Sequence, residues 1–435
     1  MNIKYNNNIL VFYLYILIAI RYFEILNFIS FIDESKYFAQ LSFVILSFGM
    51  VLYFYKFRII SLLVIRLFIF SFDAYTNIYG LISAFILILI DIAIFEEIFN
   101  KYNDGNYGLK KYFYLTVFIN ILLINFVSGV AHVIDGTWFQ NNGFMKILLN
   151  QFYSRFISTM KALYDNFPFE FEMASKITAY AQIAWSVGSL LLISYGIVWK
   201  KIIIIYGSFF FLISGVILEI SYLPFLTFPA ILISGINIWN NSVVDLFSSF
   251  LQNLKKQNTF KSNSFKKNKI VNVIYIYICA ILISWVMAFV FIIIPVFNKN
   301  DSIRRGEGSA LNSYVKDKNN SNLAWLLLPG NFMGSLLANV FNRNDIYAYA
   351  FLKNIYRIDS NGHHSEIYLY DDSGRSSVYL KNNFYLYTVA VPLGRCLAIK
   401  ENLCLDELNR FVEVQTKIDK CLECKYYFKR IQNEH

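Results

Sequence analysis

The chain has 435 residues, of which 57% are hydrophobic, 19% are aromatic and only 16% are charged. Soluble domains contain about 45–50% apolar and about 25% charged residues, so this composition excludes an ordinary soluble globule and indicates a polytopic membrane protein. The formal net charge is +10. Most of the excess lies in short connections between apolar runs, where basic residues set membrane orientation, and we therefore predict no nucleic-acid partner.

Long apolar segments cover the first two thirds of the chain. A membrane span needs roughly 20 predominantly apolar residues, and about nine segments meet that requirement. They lie at 9–31, 37–55, 59–79, 81–99, 112–134, 174–198, 202–220, 223–239 and 271–295. Gly80 separates the third from the fourth, and Tyr222-Leu223-Pro224 makes a tight reversal between the seventh and the eighth. The sequence therefore predicts an all-α polytopic membrane bundle over 1–296, with the lipid bilayer as a partner.

Basic residues are concentrated in alternate connections of this predicted bundle. They are Lys4, Lys56, Arg58, Lys101, Lys110, Lys111, Lys200, Lys201 and six lysines from Lys255 to Lys269. Positively charged connections are retained in the cytoplasm. We therefore predict a multi-pass protein of the cell (plasma) membrane, with a cytoplasmic N-terminus and with the region after Pro295 outside. No small-residue cleavage site follows the first apolar run, which we interpret as a retained span.

The remaining part of the chain, 297–435, is polar and has a different pattern. Turn signals at Asp359–Gly362 and Asp371–Gly374 separate β-rich runs such as "YAYAFLKNIYRI" and "SEIYLY", a pattern that predicts antiparallel hairpins. The run "LDELNRFVEV" has apolar residues at helical spacing. The prediction for 297–435 is a small extracytoplasmic α+β domain.

Four of the five cysteines, Cys396, Cys404, Cys421 and Cys424, belong to this tail. An extracytoplasmic compartment is oxidising, so an even number of cysteines predicts two disulfides, for which three pairings are possible. Two alternatives stay open: a redox-active Cys421-Leu-Glu-Cys424 motif, and a metal site that also uses the adjacent histidines at 363 and 364.

Several charged residues occur inside or near the apolar segments. Arg66 and Asp91 lie at matching depths in two segments that are adjacent and antiparallel, which predicts a buried ion pair that clamps the two helices together. Glu96 and Glu97 lie close to the inner end of their segment, and we predict that both are solvated.

The stretch "INFVSGVAHVIDGTWFQNNG" (Ile124–Gly143) begins as an apolar helix and then acquires ionisable residues. Ser128 and Gly129 are small and allow another helix to approach closely. His132 and Asp135 are three residues apart, on one face if the helix continues. A carboxylate in that position orients an imidazole and raises its basicity, as in a general base. The alternative is an interfacial histidine that contacts water, with Asp135 at the start of the loop.

A second carboxylate, Glu219, lies near the outer end of the seventh segment and therefore on the same side as His132 and Asp135. The candidate catalytic residues are thus His132, Asp135 and Glu219. The soluble-enzyme motifs for phosphate cradling, zinc proteolysis and serine hydrolysis do not occur in this sequence, and no metal site is predicted in the apolar part of the chain.

One stretch resembles a known family. The order of Phe126, Ser128, Gly129, His132, Trp138 and Gly143 is similar to the central motif of the HTTM (vitamin K-dependent gamma-carboxylase-like) membrane domain. Within that family it is nearer the bacterial members linked to maturation of a secreted peptide of the sporulation-delaying-protein type than to the true carboxylases. His132 stands where the family usually has a lysine that acts as a base.

The resemblance implies an acid–base role for His132 at the exported face and a secreted peptide or protein as substrate. If it extends to carboxylase chemistry, it implies a carboxylase/epoxidase-like enzyme that uses a reduced quinone. We therefore expect a membrane protein that matures or modifies a secreted peptide or protein at the outer face. The alternatives are a non-catalytic scaffold or immunity-type partner with an exported binding domain, and a transporter.

Overall fold

A computed structural model describes residues 7–32, 36–76, 81–101, 107–135, 143–149, 154–218, 223–257, 355–359, 361–366, 405–419 and 423–428, and the single residues 278, 279, 281, 283, 393 and 421. These residues are mostly helical, with one small sheet. The helices are α1 (Asn7–Ile32), α2 (Lys36–Phe54), α3 (Arg58–Thr76), α4 (Leu81–Lys101), α5 (Tyr107–Asp135), α6 (Gly143–Leu148), α7 (Ile157–Asn166), α8 (Pro168–Leu192), α9 (Ile197–Ile217), α10 (Leu223–Asn237), α11 (Val243–Gln257) and α12 (Leu405–Asp419). The strands are β1 (Ile355–Ile358), β2 (His364–Glu366) and β3 (Lys425–Phe428).

The first eight predicted segments each coincide with one helix, namely α1 to α5 and α8 to α10. Within the described part of the chain, two helices are long and apolar enough to cross a membrane by length and composition alone, Gly108–Val130 in α5 and Ile197–Ile217. The ninth segment, 271–295, lies mostly outside the described residues. The helical bundle is therefore found, whereas the number of spans stays a prediction.

The connections contain helices that the sequence did not predict. The sequence predicts no helix between the segments at 112–134 and 174–198, but α6, α7 and the first turn of α8 lie there. Helix α6 forms because Phe144 and Ile147 are buried against the bundle. Helix α11 follows α10, and its Phe250 ring packs 5.5 Å from the Tyr112 ring near the start of α5. Helices α6 and α11 thus pack against the longer helices of the bundle.

One end of the bundle carries a network of charged and polar side chains, which we call the charged end: Asn7, Arg58, Glu96, Glu97 and Lys110. Asn7 Nδ2 at the start of α1 donates to Glu97 Oε1 at the end of α4 over 2.7 Å. Arg58 Nη1 at the start of α3 lies 3.5 Å from the same oxygen. Lys110 Nζ at the start of α5 lies 2.7 Å from Glu96 Oε1. The starts of α1, α3 and α5 therefore meet the end of α4, so these helices alternate in direction.

Helices α8, α9 and α10 continue this alternation. The indole N–H of Trp185 in α8 donates to the carbonyl oxygen of Ile203 in α9 over 3.0 Å. The buried amine of Lys200, at the start of α9, donates to the carbonyls of Ile238 and Asn241, just after α10 ends. A cation at this position satisfies orphan carbonyls and interacts favourably with the helix dipole. The start of α9 and the end of α10 are therefore at the same end of the bundle.

Glycines allow close helix contacts in this part of the fold. A Cβ atom at Gly207 would lie 2.5 Å from Trp185 Cζ2, and a Cβ atom at Gly235 would lie 2.7 Å from Ile204 Cγ1. Both distances are shorter than a Cβ atom tolerates, so only glycine permits α8, α9 and α10 to pack this closely.

Helix α10 contains an internal proline, and another helix supplies the hydrogen bond that this proline removes. Pro229 has no N–H, so the carbonyl of Phe225, four residues earlier, loses its helical donor. The hydroxyl of Tyr13 in α1 donates to this carbonyl over 2.6 Å. Proline is tolerated inside a buried helix when a neighbouring helix supplies the missing hydrogen bond.

The tail contains the predicted antiparallel hairpin. The strand order is β2-β1-β3, and both pairings of β1 are antiparallel. Between β1 and β2, Asp359 Oδ1 accepts the backbone N–H groups of Asn361 and His363, each over 2.9 Å. The N–H of His363 is the main reason that the pKa of Asp359 lies below its usual 3.8. The predicted turn at Asp371–Gly374 lies outside the described residues.

The predicted amphipathic helix is also found. Helix α12 buries Phe411, Val414 and Gln415, and the Phe411 ring packs against the Tyr426 ring of β3 at 6.3 Å. Helix α12 also contacts α1. The described part of the tail therefore rests against the helical bundle.

Candidate functional site

The candidate site lies where α5 contacts α8. A Cβ atom at Gly129 would lie 2.6 Å from Ser186 Cβ and 3.2 Å from Val187 Cγ2, so the two backbones are in close contact here. The start of α5 packs against α11, which follows the end of α10. Because α8, α9 and α10 are successively antiparallel, the start of α5 lies at the end of α8. Helices α5 and α8 are therefore antiparallel.

Matching polar positions continue on both sides of this contact. Residues separated by three or four positions lie on one face of a helix. His132 lies three residues after Gly129, about 4.5 Å along α5, and Gln182 lies four residues before Ser186, about 6 Å along α8. Because the two helices are antiparallel, His132 and Gln182 are at the same level to within about 1.5 Å. By the same argument in the other direction, Asn125 is level with Ser189. We call these six residues the polar seam: Asn125, Gly129, His132, Gln182, Ser186 and Ser189.

The seam is buried inside the protein. His132 is 6% exposed, Gln182 is 7% exposed and Ser189 is fully buried. Gln182 Nε2 donates to Ser186 Oγ over 3.3 Å, and Asn125 Nδ2 donates to the Ile121 carbonyl of its own helix over 2.8 Å. Gln182 Oε1 and Ser189 Oγ form no hydrogen bond with any residue that the structure describes. Such groups in an otherwise packed interior call for a partner.

The structure describes the three candidate catalytic residues to different extents. His132 lies on the buried face of α5, close to its end. Asp135 is the last residue of α5, and its side chain falls outside the description. Glu219 lies outside the described residues. Its neighbour Leu218 pairs with Ser154 after α9 ends, at the same end of the bundle as His132. A grouping of His132, Asp135 and Glu219 remains a prediction.

Sequence reasoning missed Gln182. Its signal is the spacing of small and polar residues at Ser175, Ala179, Gln182, Ser186 and Ser189, which places five buried residues on one face of α8. That pattern marks a polar helix face, but the sequence does not tell which other helix covers it.

The predicted ion pair between α3 and α4 is confirmed. Arg66 Nε lies 2.6 Å from Asp91 Oδ1, and Arg66 Nη2 donates to Asp91 Oδ2 over 3.4 Å. The Asp91 side chain is 4% exposed and the Arg66 side chain is 33% exposed. The pair is thus asymmetric, with the carboxylate in the interior and the guanidinium near the surface.

The prediction that Glu96 is solvated is wrong. Glu96 is buried, with Lys110 Nζ at 2.7 Å from its Oε1 and the hydroxyl of Tyr114 donating to the same oxygen. The first turns of α5 cover the last turn of α4, so a carboxylate that appeared terminal in the sequence lies inside the bundle. Glu97 is partly buried beside Arg58 and Asn7.

A disulfide joins Cys421 to Cys424, with 5.5 Å between their Cα atoms. Of the three possible pairings, this bond agrees only with the one in which Cys396 would pair with Cys404. Both of those cysteines lie outside the described residues. A redox-active motif of this spacing normally begins a helix, where the positive end of the dipole stabilises a thiolate. Here Cys421 follows α12, and its N–H donates to the Thr416 carbonyl over 3.1 Å. That position favours a structural disulfide.

A reduced quinone does not fit between α5 and α8 at the level of Gly129. At Gly129 the two helices approach so closely that even a Cβ atom would lie 2.6 Å from Ser186 Cβ. A quinone ring needs far more space than this contact leaves, and we assign no step to a quinone there.

Comparison of the chain with protein-family models, with characterised proteins and with solved structures finds no significant match.

Proposed function

We propose that this chain is a multi-pass membrane protein that matures or modifies a secreted peptide or protein at the extracytoplasmic face. In this proposal His132 is the acid–base group and the polar seam positions it. The observation that carries the proposal is the burial of His132 on the face of α5 that packs against α8, level with Gln182.

The dimensions of the bundle support a membrane location. A helix rises about 33 Å from Lys110 to His132, and the hydrocarbon core of a bilayer is about 30 Å thick. The charged end and the seam therefore lie near opposite faces of a membrane. Basic residues cluster at the charged end, which is cytoplasmic by the positive-inside rule, so the seam faces outside.

The chemistry of the seam supports an acid–base role. Histidine is the side chain whose unperturbed titration falls closest to neutral pH, and it transfers protons when a neighbour holds the ring in a productive orientation. Within the seam, Gln182 and Ser186 present hydrogen-bonding groups on the α8 side. The motif resemblance around Gly129 and His132 points to the same residue.

The test compares variants expressed in cells. Exported peptides and proteins are examined by mass spectrometry for species that depend on this protein. We expect His132→Ala and His132→Gln to abolish these species, because neither side chain exchanges a proton near neutral pH. Thr116→Val is the matched control, since the Thr116 hydroxyl bonds the Tyr112 carbonyl of its own helix, on another face of α5. Normal output from both His132 variants, at normal membrane abundance, would contradict the proposal.

A second candidate function is a non-catalytic scaffold that presents the tail. The contact between α12 and α1 favours it, because the tail is held against the bundle. In that case both His132 variants retain full output, whereas disruption of α12, for example by Phe411→Asp, abolishes it.

A further inference from the structure

The polar seam contains buried hydrogen-bonding groups that no residue in the described part of the chain satisfies. Ser189 Oγ and Gln182 Oε1 form no hydrogen bond with a described residue. Leaving a polar group buried and unpaired costs more than a typical net hydrogen bond contributes. Two such atoms on one helix face, opposite other polar side chains, indicate that something occupies the space beside them.

We infer that the seam holds ordered water on both sides of the contact between Gly129 and Ser186, and that the Ser186 hydroxyl connects the two water sites. The inference deepens the proposed function, on which it rests for the role of His132. It assigns water as the ligand and the Ser186 hydroxyl as the group that joins the two water sites, one of which lies beside His132.

A buried water needs two to four polar partners, and each proposed water site is flanked by at least two polar side chains. On one side of the contact the polar groups are Gln182 and His132. Ser186 lies between this site and the second site. On the other side they are Ser189 and Asn125, which lie level with each other. Both sites therefore offer polar groups from both helices.

A single water does not serve both unsatisfied atoms. Gln182 and Ser189 are separated by about 10 Å along α8, whereas one water joins groups that are about 5.6 Å apart through two hydrogen bonds of about 2.8 Å each. The close approach at Gly129 also leaves no space for water at the level of Ser186. Two separate sites, joined by the hydroxyl that already accepts from Gln182 Nε2, follow from these distances.

The sign of a stability change tests this inference. If water satisfies Ser189 Oγ, then Ser189→Ala removes favourable hydrogen bonds and lowers Tm, by about 2 °C for a protein of this size. If the seam is dry, the same variant removes an unpaired polar group and raises Tm. Ser234→Ala is the control, since the Ser234 hydroxyl bonds the Ala230 carbonyl of its own helix, and we expect no more than a small change.

A rise in Tm for Ser189→Ala, or no change, would overturn the inference. A second measurement needs no variant: cryo-electron microscopy of the full chain in lipid nanodiscs, at a resolution where other buried waters are visible. We expect water density within hydrogen-bonding distance of Ser189 Oγ and of Gln182 Oε1, and its absence at both atoms is equally contradictory. Neither measurement uses a substrate, so a hydrated seam in a protein whose His132 variants are fully active would remove the proposed function alone.

Discussion

The hydroxyl of Tyr13 should stabilise the fold specifically because residue 229 is a proline. Tyr13→Phe keeps the ring and removes only the donor to the Phe225 carbonyl, a bond of 2.6 Å. Since Pro229 supplies no N–H to that carbonyl, no helical donor replaces the lost one. A buried acceptor left unpaired costs about 1–3 kcal/mol. The bond is only partly buried, so we expect a loss of about 1–2 kcal/mol in the free energy of unfolding.

A double-mutant cycle isolates this effect. Pro229→Ala restores an N–H that bonds the Phe225 carbonyl within α10, so Tyr13→Phe should then cost less than about 0.5 kcal/mol. The difference between the two backgrounds is the coupling energy, which we expect to be about 1 kcal/mol. Tyr195→Phe is the matched control, because Tyr195 is exposed and surface substitutions change stability by less than about 0.5 kcal/mol.

The assay is reversible unfolding of the purified protein in mixed micelles, followed by tryptophan fluorescence. All four members of the cycle are measured under identical conditions. If Tyr13→Phe costs the same in the wild-type background and in the background that carries Pro229→Ala, the hydroxyl does not substitute for the missing N–H and the reasoning is refuted.

Three further predictions test other parts of the fold. Arg66→Met leaves the buried Asp91 carboxylate without its ion-pair partner and should lower the free energy of unfolding by about 3–5 kcal/mol. Asp91→Asn should lower it by less, because Arg66 is near the surface. The opposite ranking in unfolding experiments would contradict the observed asymmetry. Gly129→Ala should lower the free energy of unfolding by about 1–3 kcal/mol through overpacking. In the same assay, the double variant with Ser186→Gly should recover much of that loss. If the double variant loses as much as Gly129→Ala alone, the close contact is not at Ser186. Asp359→Ala should speed hydrogen exchange of the amides in the loop after β1. In the wild type this protection, present above the usual pKa of 3.8, should fade as the pH falls through the lower pKa of the folded loop; protection that is independent of pH would exclude the carboxylate as its cause.

The positions of the long helices could be predicted because their apolar runs are separated by polar or glycine-containing breaks. The boundaries were less accurate where hydropathy continues across a structural break. The segment predicted at 174–198 is observed at Pro168–Leu192. Pro168 begins the helix within a polar stretch that a hydropathy window rejects. At the other end, Gly196 has φ 143° and separates α8 from α9, although the flanking residues are apolar.

Side-chain contacts between helices were predictable only where one helix follows the next. Arg66 and Asp91 lie in consecutive helices, so their depths could be compared directly in the sequence. His132 and Gln182 lie in helices that are separated by α6 and α7, and nothing in the sequence identifies α8 as the helix that covers the His132 face of α5. Glu96 was misjudged because distance from the end of a segment does not reveal that the next helix covers it.

The central claim is that His132 faces Gln182 across the contact between α5 and α8. Cysteines at both positions, His132→Cys with Gln182→Cys, test it by oxidative cross-linking in native membranes. A disulfide needs Cα atoms about 4.4–6.8 Å apart with converging side chains. The matched control replaces Val133, which is exposed on the other side of α5, in combination with the same Gln182→Cys change. We expect a cross-link for the His132 pair and none for the Val133 pair; a cross-link that forms only with Val133→Cys would contradict the account.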